Sequence, residues 1–277
     1  MVKKLNSFYL INSLKERGAE LGMELLLNNG LLKNYNIYVI VLGRLGNDLE
    51  KRISKKYNLI FLENKNFSNF KLVYYFYLLQ KLIIKYKPKI IISSLNQSVI
   101  LSRMLKIFND IYLLNFEHST KFNTFGIYAL IKFTDYLCDL FLVDSHQTGK
   151  FLKKRRKKNK KIILPLFYFT RKNESKIRAN LIYCVGQLTK LKNYYNILKI
   201  VDHSKILNKG YLLKFFGDGE NRSELQKYIN KNNLSKKVKI LGNTRKWQSY
   251  VGLGSIYISF SDYEGLSIST LQAMEIG

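Results

Sequence analysis

The stretch Ser259–Met274 carries the most chemistry in the chain: an apolar run enters a polar loop, and the loop turns into a helical pattern. Ligands of parallel sheets collect outside the carboxyl ends of strands. A helix that starts there presents backbone N–H groups and a partial positive charge, which suits a phosphate. Glu264 lies in this loop as an acceptor for ligand hydroxyls. Gly265, Ser267 and Ile268 lead into the helix, and Gln272 falls about one turn inside it. A second stretch, Tyr183–Asn193, passes from a strand through Gly186 and Gln187 to Lys192, a cation able to pair with phosphate. Taken alone, Lys192 is also an ordinary surface lysine in a lysine-rich chain. Gly217-Asp218-Gly219 follows a third strand and reads as a tight turn. The first half of the chain offers Gly18-Ala19-Glu20 after an opening strand, and His118 after the run Ile111–Phe116.

These residues need elements to hold them, and the pattern supplies α/β units. Short β-branched or aromatic runs stand at Ser7–Ile11, Ile37–Leu42, Leu59–Leu62, Ile90–Ser93, Ile111–Phe116, Leu140–Val143 and Ile162–Leu164. Helical periodicity fills the intervals, with Met23, Leu26, Leu27 and Leu31 on one face. Strand, helix, strand at this spacing predicts a mainly parallel sheet. The alternation restarts with Leu181–Val185, Tyr211–Phe216, Val238–Leu241 and a buried strand over Ile256–Phe260. Two consecutive domains follow, over 1–168 and 177–277, separated by Pro165 and the aperiodic stretch Thr170–Lys176. The second domain is expected to be incomplete, because its last helix has just begun when the sequence stops. The aromatic helix over Leu72–Tyr86 reads as core, with a lipid-facing role as the minority reading.

Composition sets the limits. The chain has 277 residues, 47% of them hydrophobic, enough for packed cores and against global disorder. Lys and Arg number 47 against 19 Asp and Glu, a formal charge of +28. Two cysteines cannot make a disulfide framework or by themselves a four-ligand zinc site, and only three histidines are present. No metal and no cofactor are expected. Lys150–Lys161 holds nine basic residues in twelve. This run reads either as a solvated helix end or as a surface for anionic lipid head groups. No helix-turn-helix, zinc-finger or aromatic RNA-reading pattern accompanies the charge, so no nucleic-acid partner is expected. No apolar run reaches the ~20 residues of a spanning helix. The reading is cytoplasmic, at most peripheral on the inner face of the membrane.

Ser261, Glu264, Gly265, Ala273 and Met274 stand in the register of the Glu-x7-Glu segment of the retaining GT-B glycosyltransferases of family 4, and the stretch resembles it. Gln272 replaces the second Glu. Gly186-Gln187-Leu188 with Lys192-Asn193 is similar to the family's Gly-Arg-Leu-x-x-x-Lys-Asn segment, with Gln187 in place of Arg. Gly217–Gly219 and Val238–Gly242 match its glycine turn and following strand, and Gly18-Ala19-Glu20 its Gly-Gly-Ala-Glu loop, with Arg17 at the first glycine. The resemblance implies two Rossmann-like domains facing a cleft. It implies a UDP- or GDP-sugar donor and a glycan or lipid-linked acceptor, with transfer in retention, in the assembly of a surface polysaccharide such as lipopolysaccharide or capsule.

The same resemblance distributes roles. Glu264 takes the donor-sugar hydroxyls, Gln272 the ribose, and Lys192 with the helix start at Gly265, Ser267 and Ile268 the diphosphate. Gln187 holds the position of a diphosphate-binding Arg, the Gly18 loop approaches the diphosphate, and His118 stands near the reacting centre. An amide at 272 still donates and accepts hydrogen bonds. Amides at 187 and 272 nevertheless lack the charged groups that bind most strongly. The alternative is therefore a truncated, catalytically silent remnant that at most binds a nucleotide sugar or a membrane surface.

Overall fold

A computed structural model of the protein describes residues 4–15, 17–118, 124–155, 160–164, 179–244 and 246–276. The chain divides into two compact units, Met1–Phe167 and Tyr168–Gly277. Pro165 and Thr170–Lys176, the expected boundary, lie outside the described residues, as does Arg156–Asn159 of the basic run.

The first unit runs β1 (Asn6–Ile11), α1 (Gly18–Asn28), β2 (Asn36–Val41), α2 (Asp48–Ser54), β3 (Asn58–Phe61), α3 (Leu72–Tyr86), β4 (Ile90–Ser94) and α4 (Asn96–Phe108). It continues with β5 (Tyr112–Glu117), α5 (Phe125–Thr134), β6 (Leu140–Val143), α6 (His146–Arg155) and β7 (Lys161–Ile163). The seven strands form one parallel sheet in the order β3-β2-β1-β4-β5-β6-β7. The central strands β1, β2 and β4 are apolar runs because helices cover both faces of a parallel sheet. Phe8, Leu10, Ile40, Ile91 and Leu113 of the sheet pack with Tyr75, Leu79 and Ile83 of α3 and Leu101 and Leu105 of α4. The strand order reverses at β1 and β4, and this is where an open α/β sheet leaves a crevice for ligands.

The second unit comprises β8 (Leu181–Val185), α7 (Tyr194–His203), β9 (Leu212–Phe216), α8 (Arg222–Lys231), β10 (Val238–Ile240), β11 (Ile256–Tyr257) and α9 (Ile268–Ile276). Its four parallel strands are ordered β10-β9-β8-β11. Cys184, Phe215, Ile197, Leu198 and Leu225 fill one side of this sheet, and Tyr183, Phe216 and Trp247 the other. Both units are thus Rossmann-like α/β layers.

Three expectations need correction. The buried strand over Ile256–Phe260 is only two residues long, and Ile256 and Phe260 are exposed. Among the described residues β11 pairs with β8 alone, so it has no outer neighbour to extend or cover it. The helix over Leu72–Tyr86 forms as expected but is not wholly core: Tyr75, Leu79 and Ile83 are buried while Val73, Tyr77 and Ile84 are exposed. The basic run is not uniformly solvated either, because Arg155 is 4% exposed. Its guanidinium donates to Asp135 at 2.7 Å and to Glu117 at 2.8 Å, and Arg103 donates to the same Asp135 at 2.8 Å.

Candidate functional site

In the second unit, three loops at the carboxyl ends of the strands converge. The turn after β8 lies against the turn after β9: Gly186 N donates to Phe216 O at 2.9 Å, and Leu188 N donates to Asp218 O at 3.0 Å. Gly217 has φ 154°, and a Cβ there would overlap the Gly186 carbonyl, so glycine is required for the two turns to meet. Asp218 is fixed from both sides, accepting from Gly219 N and from Arg222 Nη1, each at 2.8 Å. The glycine turn is therefore a structural clamp that orients the loop beside it.

The turn 190–193 docks on the loop before α9. Asp262 N donates to Leu191 O at 3.0 Å, and Lys192 Nζ donates to Glu264 Oε1 at 2.5 Å. Two residues 72 positions apart thus meet as an ion pair. Both side chains are largely covered, 17% and 31% exposed, so the pair is screened less than an open surface pair. The Oγ of Ser261, in the same loop, is buried without a hydrogen-bond partner among the described residues. Ser267 sits at the start of α9, where its Oγ accepts from Thr270 N at 3.4 Å. Gly265 and Ile268 flank it, and the first N–H groups of the helix have no partners within the helix itself. Gln272 lies half-buried one turn further on, and Gln187 is in the turn after β8. The loops thus bring together a cation, a carboxylate, a buried hydroxyl without a partner among the described residues, and a helix start.

In the first unit, Gly18 opens α1 after the exposed Arg17, and nothing stands within 4 Å of where its Cβ would be. Local packing does not require glycine at this position. Glu20, two residues on, is buried beneath this helix start. Burial holds its carboxyl above the usual carboxylate range, opposed by backbone hydrogen bonds and by the nearby charges of Arg17 and His118. His118 follows β5, its ring 4.0 Å from that of Phe116. Nδ1 faces the Asp144 carboxylate at 3.7 Å, and Nε2 is buried with no partner among the described residues. Asp144 follows β6, is itself buried, and accepts from Thr148 Oγ1 at 2.7 Å. At the β1/β4 reversal, Asn12 Oδ1 accepts from Ser98 N at 3.0 Å and from its Oγ at 2.7 Å. Leu95 beside it holds φ 72° and ψ 150°, a conformation costing an L-residue about 1–3 kcal/mol.

Sequence reading missed Asp144 as a partner of His118, and Glu20 as a buried charge beside it. Asp144 follows a predicted strand, as His118 does, and that shared placement is the one signal that pointed to it. Among the described residues no three His, Cys, Asp or Glu side chains cluster as metal ligands would.

Paired parallel sheets and loops of this kind define the class. The chain has the GT-B fold, and residues 169–277 match the family model described as Glycosyl transferases group 1. Among solved structures, the pneumococcal O-GlcNAc transferase GtfA, in complex with UDP and GlcNAc, superposes with a TM-score of 0.76 at 10% identity. That match covers 99% of this chain and 83% of the other. HepE of Anabaena, in complex with UDP-glucose, gives 0.77 at 13% identity over 98% and 78%. The amylovoran biosynthesis glycosyltransferase AmsD of Erwinia amylovora is 30% identical over 96 residues, 35% of this chain and 27% of that protein. An uncharacterized glycosyltransferase of Methanocaldococcus jannaschii is 22% identical over 75% of this chain and 58% of its own length. The chain thus spans less than two thirds of either of these curated relatives.

Proposed function

We propose that the protein is a retaining glycosyltransferase that moves a sugar from a UDP- or GDP-linked donor to a hydroxyl of a glycan or lipid-linked acceptor. The observation that carries this reading is the meeting of Lys192 and Glu264 beside the start of α9. Kinship with an amylovoran biosynthesis enzyme and structural likeness to proteins holding UDP support the polysaccharide setting and the donor class. In the reaction the bond from the anomeric carbon to the diphosphate oxygen breaks, a bond to the acceptor oxygen forms, and the acceptor hydroxyl passes its proton to the departing diphosphate oxygen. Charge builds on the departing diphosphate, and fixed cations and N–H dipoles stabilise it most effectively.

Lys192 and the N–H groups around Gly265, Ser267 and Ile268 fill that role. Glu264, released from Lys192 once a diphosphate competes for the ammonium, accepts hydrogen bonds from the donor sugar. Gln272 meets the ribose, and Gln187 contributes a neutral contact where a charge would bind more strongly.

Titration calorimetry of the whole chain with UDP and with GDP tests the reading. One of the two is expected to bind, and Lys192→Ala to weaken it about tenfold to a hundredfold, the worth of one charge-assisted contact. Absence of binding to both nucleotides at millimolar concentration would support the silent-remnant alternative instead.

A further inference from the structure

Tyr194 opens α7 directly after the turn that carries Lys192, and its ring and its hydroxyl lie in different surroundings. The ring belongs to the core of the second unit with Cys184, Leu188, Ile197 and Leu198, and it meets the Phe215 ring edge-on at 5.5 Å. A phenylalanine would fill that space as well. The hydroxyl lies instead against the turn after β8. It stands 3.1 Å from where a Cβ on Gly186 would be, and Lys192 Cε and Nζ stand 3.6 and 3.9 Å from the same point. Gly186 has φ 141°, so glycine serves both the backbone of this turn and the room for the two side chains. Burial first, then the nearby Cys184, Tyr257 and Glu264, hold the phenol pKa above the ordinary tyrosine range. The hydroxyl therefore keeps its proton and is able to donate.

Folding does not account for this hydroxyl. Tyr194 is 3% exposed, yet no hydrogen bond joins its hydroxyl to a described residue. A polar group withdrawn from water without a partner costs free energy, and phenylalanine would avoid that cost with the same packing. The Glu264 carboxylate accepts from the Lys192 ammonium at 2.5 Å and not from the phenol. A ligand that draws the ammonium away from Glu264 therefore meets an unused O–H donor at the same place. Lys192 and Tyr194 flank one point above Gly186, a cation and a neutral donor side by side. Such a pair suits an anion whose adjacent oxygens accept from both, as those of a diphosphate do. Gln187, next to Gly186 in the chain, brings an amide and no charge to this turn.

We propose that the Tyr194 hydroxyl donates a hydrogen bond to a diphosphate oxygen of the bound nucleotide, beside Lys192. The assignment rests on the nucleotide-sugar reading given under Proposed function. The test is titration calorimetry of the full chain and of its Tyr194→Phe variant with UDP and with GDP, with melting temperatures measured alongside. The ring packing survives in Tyr194→Phe, so its melting temperature is expected to stay level or rise. Affinity for the nucleotide that binds is expected to fall about threefold to tenfold, as the loss of one neutral hydrogen bond implies. Lys192→Ala/Tyr194→Phe is expected to bind more weakly than Lys192→Ala by a similar factor, because the contact is made to the ligand directly. Unchanged affinity in Tyr194→Phe, with Lys192→Ala still weakening binding, would overturn the proposal and leave the nucleotide-sugar reading standing. A fall in affinity together with a fall in melting temperature would make the hydroxyl a structural group and overturn it likewise. Equal affinities of Lys192→Ala and the double variant would show that Tyr194 acts only through Lys192, against a direct contact. Absence of wild-type binding to either nucleotide would overturn both readings at once.

Discussion

Lys192 and Glu264 neutralise each other in the free protein, and that pairing makes their substitutions distinguishable. Glu264→Gln removes the competitor for the Lys192 ammonium but leaves the side chain's shape. UDP affinity is therefore expected to stay level or rise in this variant, while transfer of sugar is lost. Calorimetry beside a donor-consumption assay reads both. Asp144 is held on one oxygen by the Thr148 hydroxyl, and its other oxygen faces His118 Nδ1 at 3.7 Å. Glu20 gives a pH dependence. Its carboxyl is raised by burial, so folding favours the protonated form, and stability is lost as pH climbs from the ordinary carboxylate range through the raised value. Glu20→Gln is expected to melt higher than wild type at neutral pH, with the gap closing in acid.

At the scale of elements, the Arg103–Asp135–Arg155–Glu117 cluster joins α4, the end of α5, the end of α6 and the end of β5. Asn115 Oδ1 accepts from Arg103 as well, at 3.0 and 2.9 Å from its Nε and Nη2, so the guanidinium is held on several sides. Removing the central acid leaves two buried cations without their shared partner. Asp135→Ala is expected to cost about 3–5 kcal/mol, and the loss falls on the strand end that carries His118. None of this showed in the sequence, where Arg155 sits inside a run of exposed lysines and nothing marks it as different. The alternation of apolar strands and amphipathic helices, by contrast, was legible because parallel strands buried on both faces must be apolar runs. β11 was read too long because Ile256–Phe260 has the composition of an interior strand, whereas its exposure depends on which neighbours pair with it.

For the whole molecule, the two units carry separate sheets and separate cores, and the single tryptophan reports on one of them. Trp247 is 5% exposed and stacks near Tyr183 at 5.8 Å in the second unit. In Asp135→Ala the far-UV transition in urea is expected to begin earlier, while the Trp247 fluorescence midpoint stays close to wild type. Coincident shifts would mean the units unfold as one. The +28 charge, a bulk property in the sequence, is sorted by the fold into buried pairs such as Arg103–Asp135 and exposed lysines such as Lys81 over the Tyr77 ring. What the sequence determined by itself was local: the periodicity of strands and helices, the glycine turns, and the polar residues that follow strand ends. Those features follow from steric limits and burial patterns acting over a few residues. Which of the polar residues meet was decided by tertiary structure alone. Lys192 and Glu264 are 72 residues apart, and Asp144 reaches His118 from a neighbouring strand. Such contacts arise from strand order and loop docking, which bring distant segments together and leave no mark on the sequence around either partner.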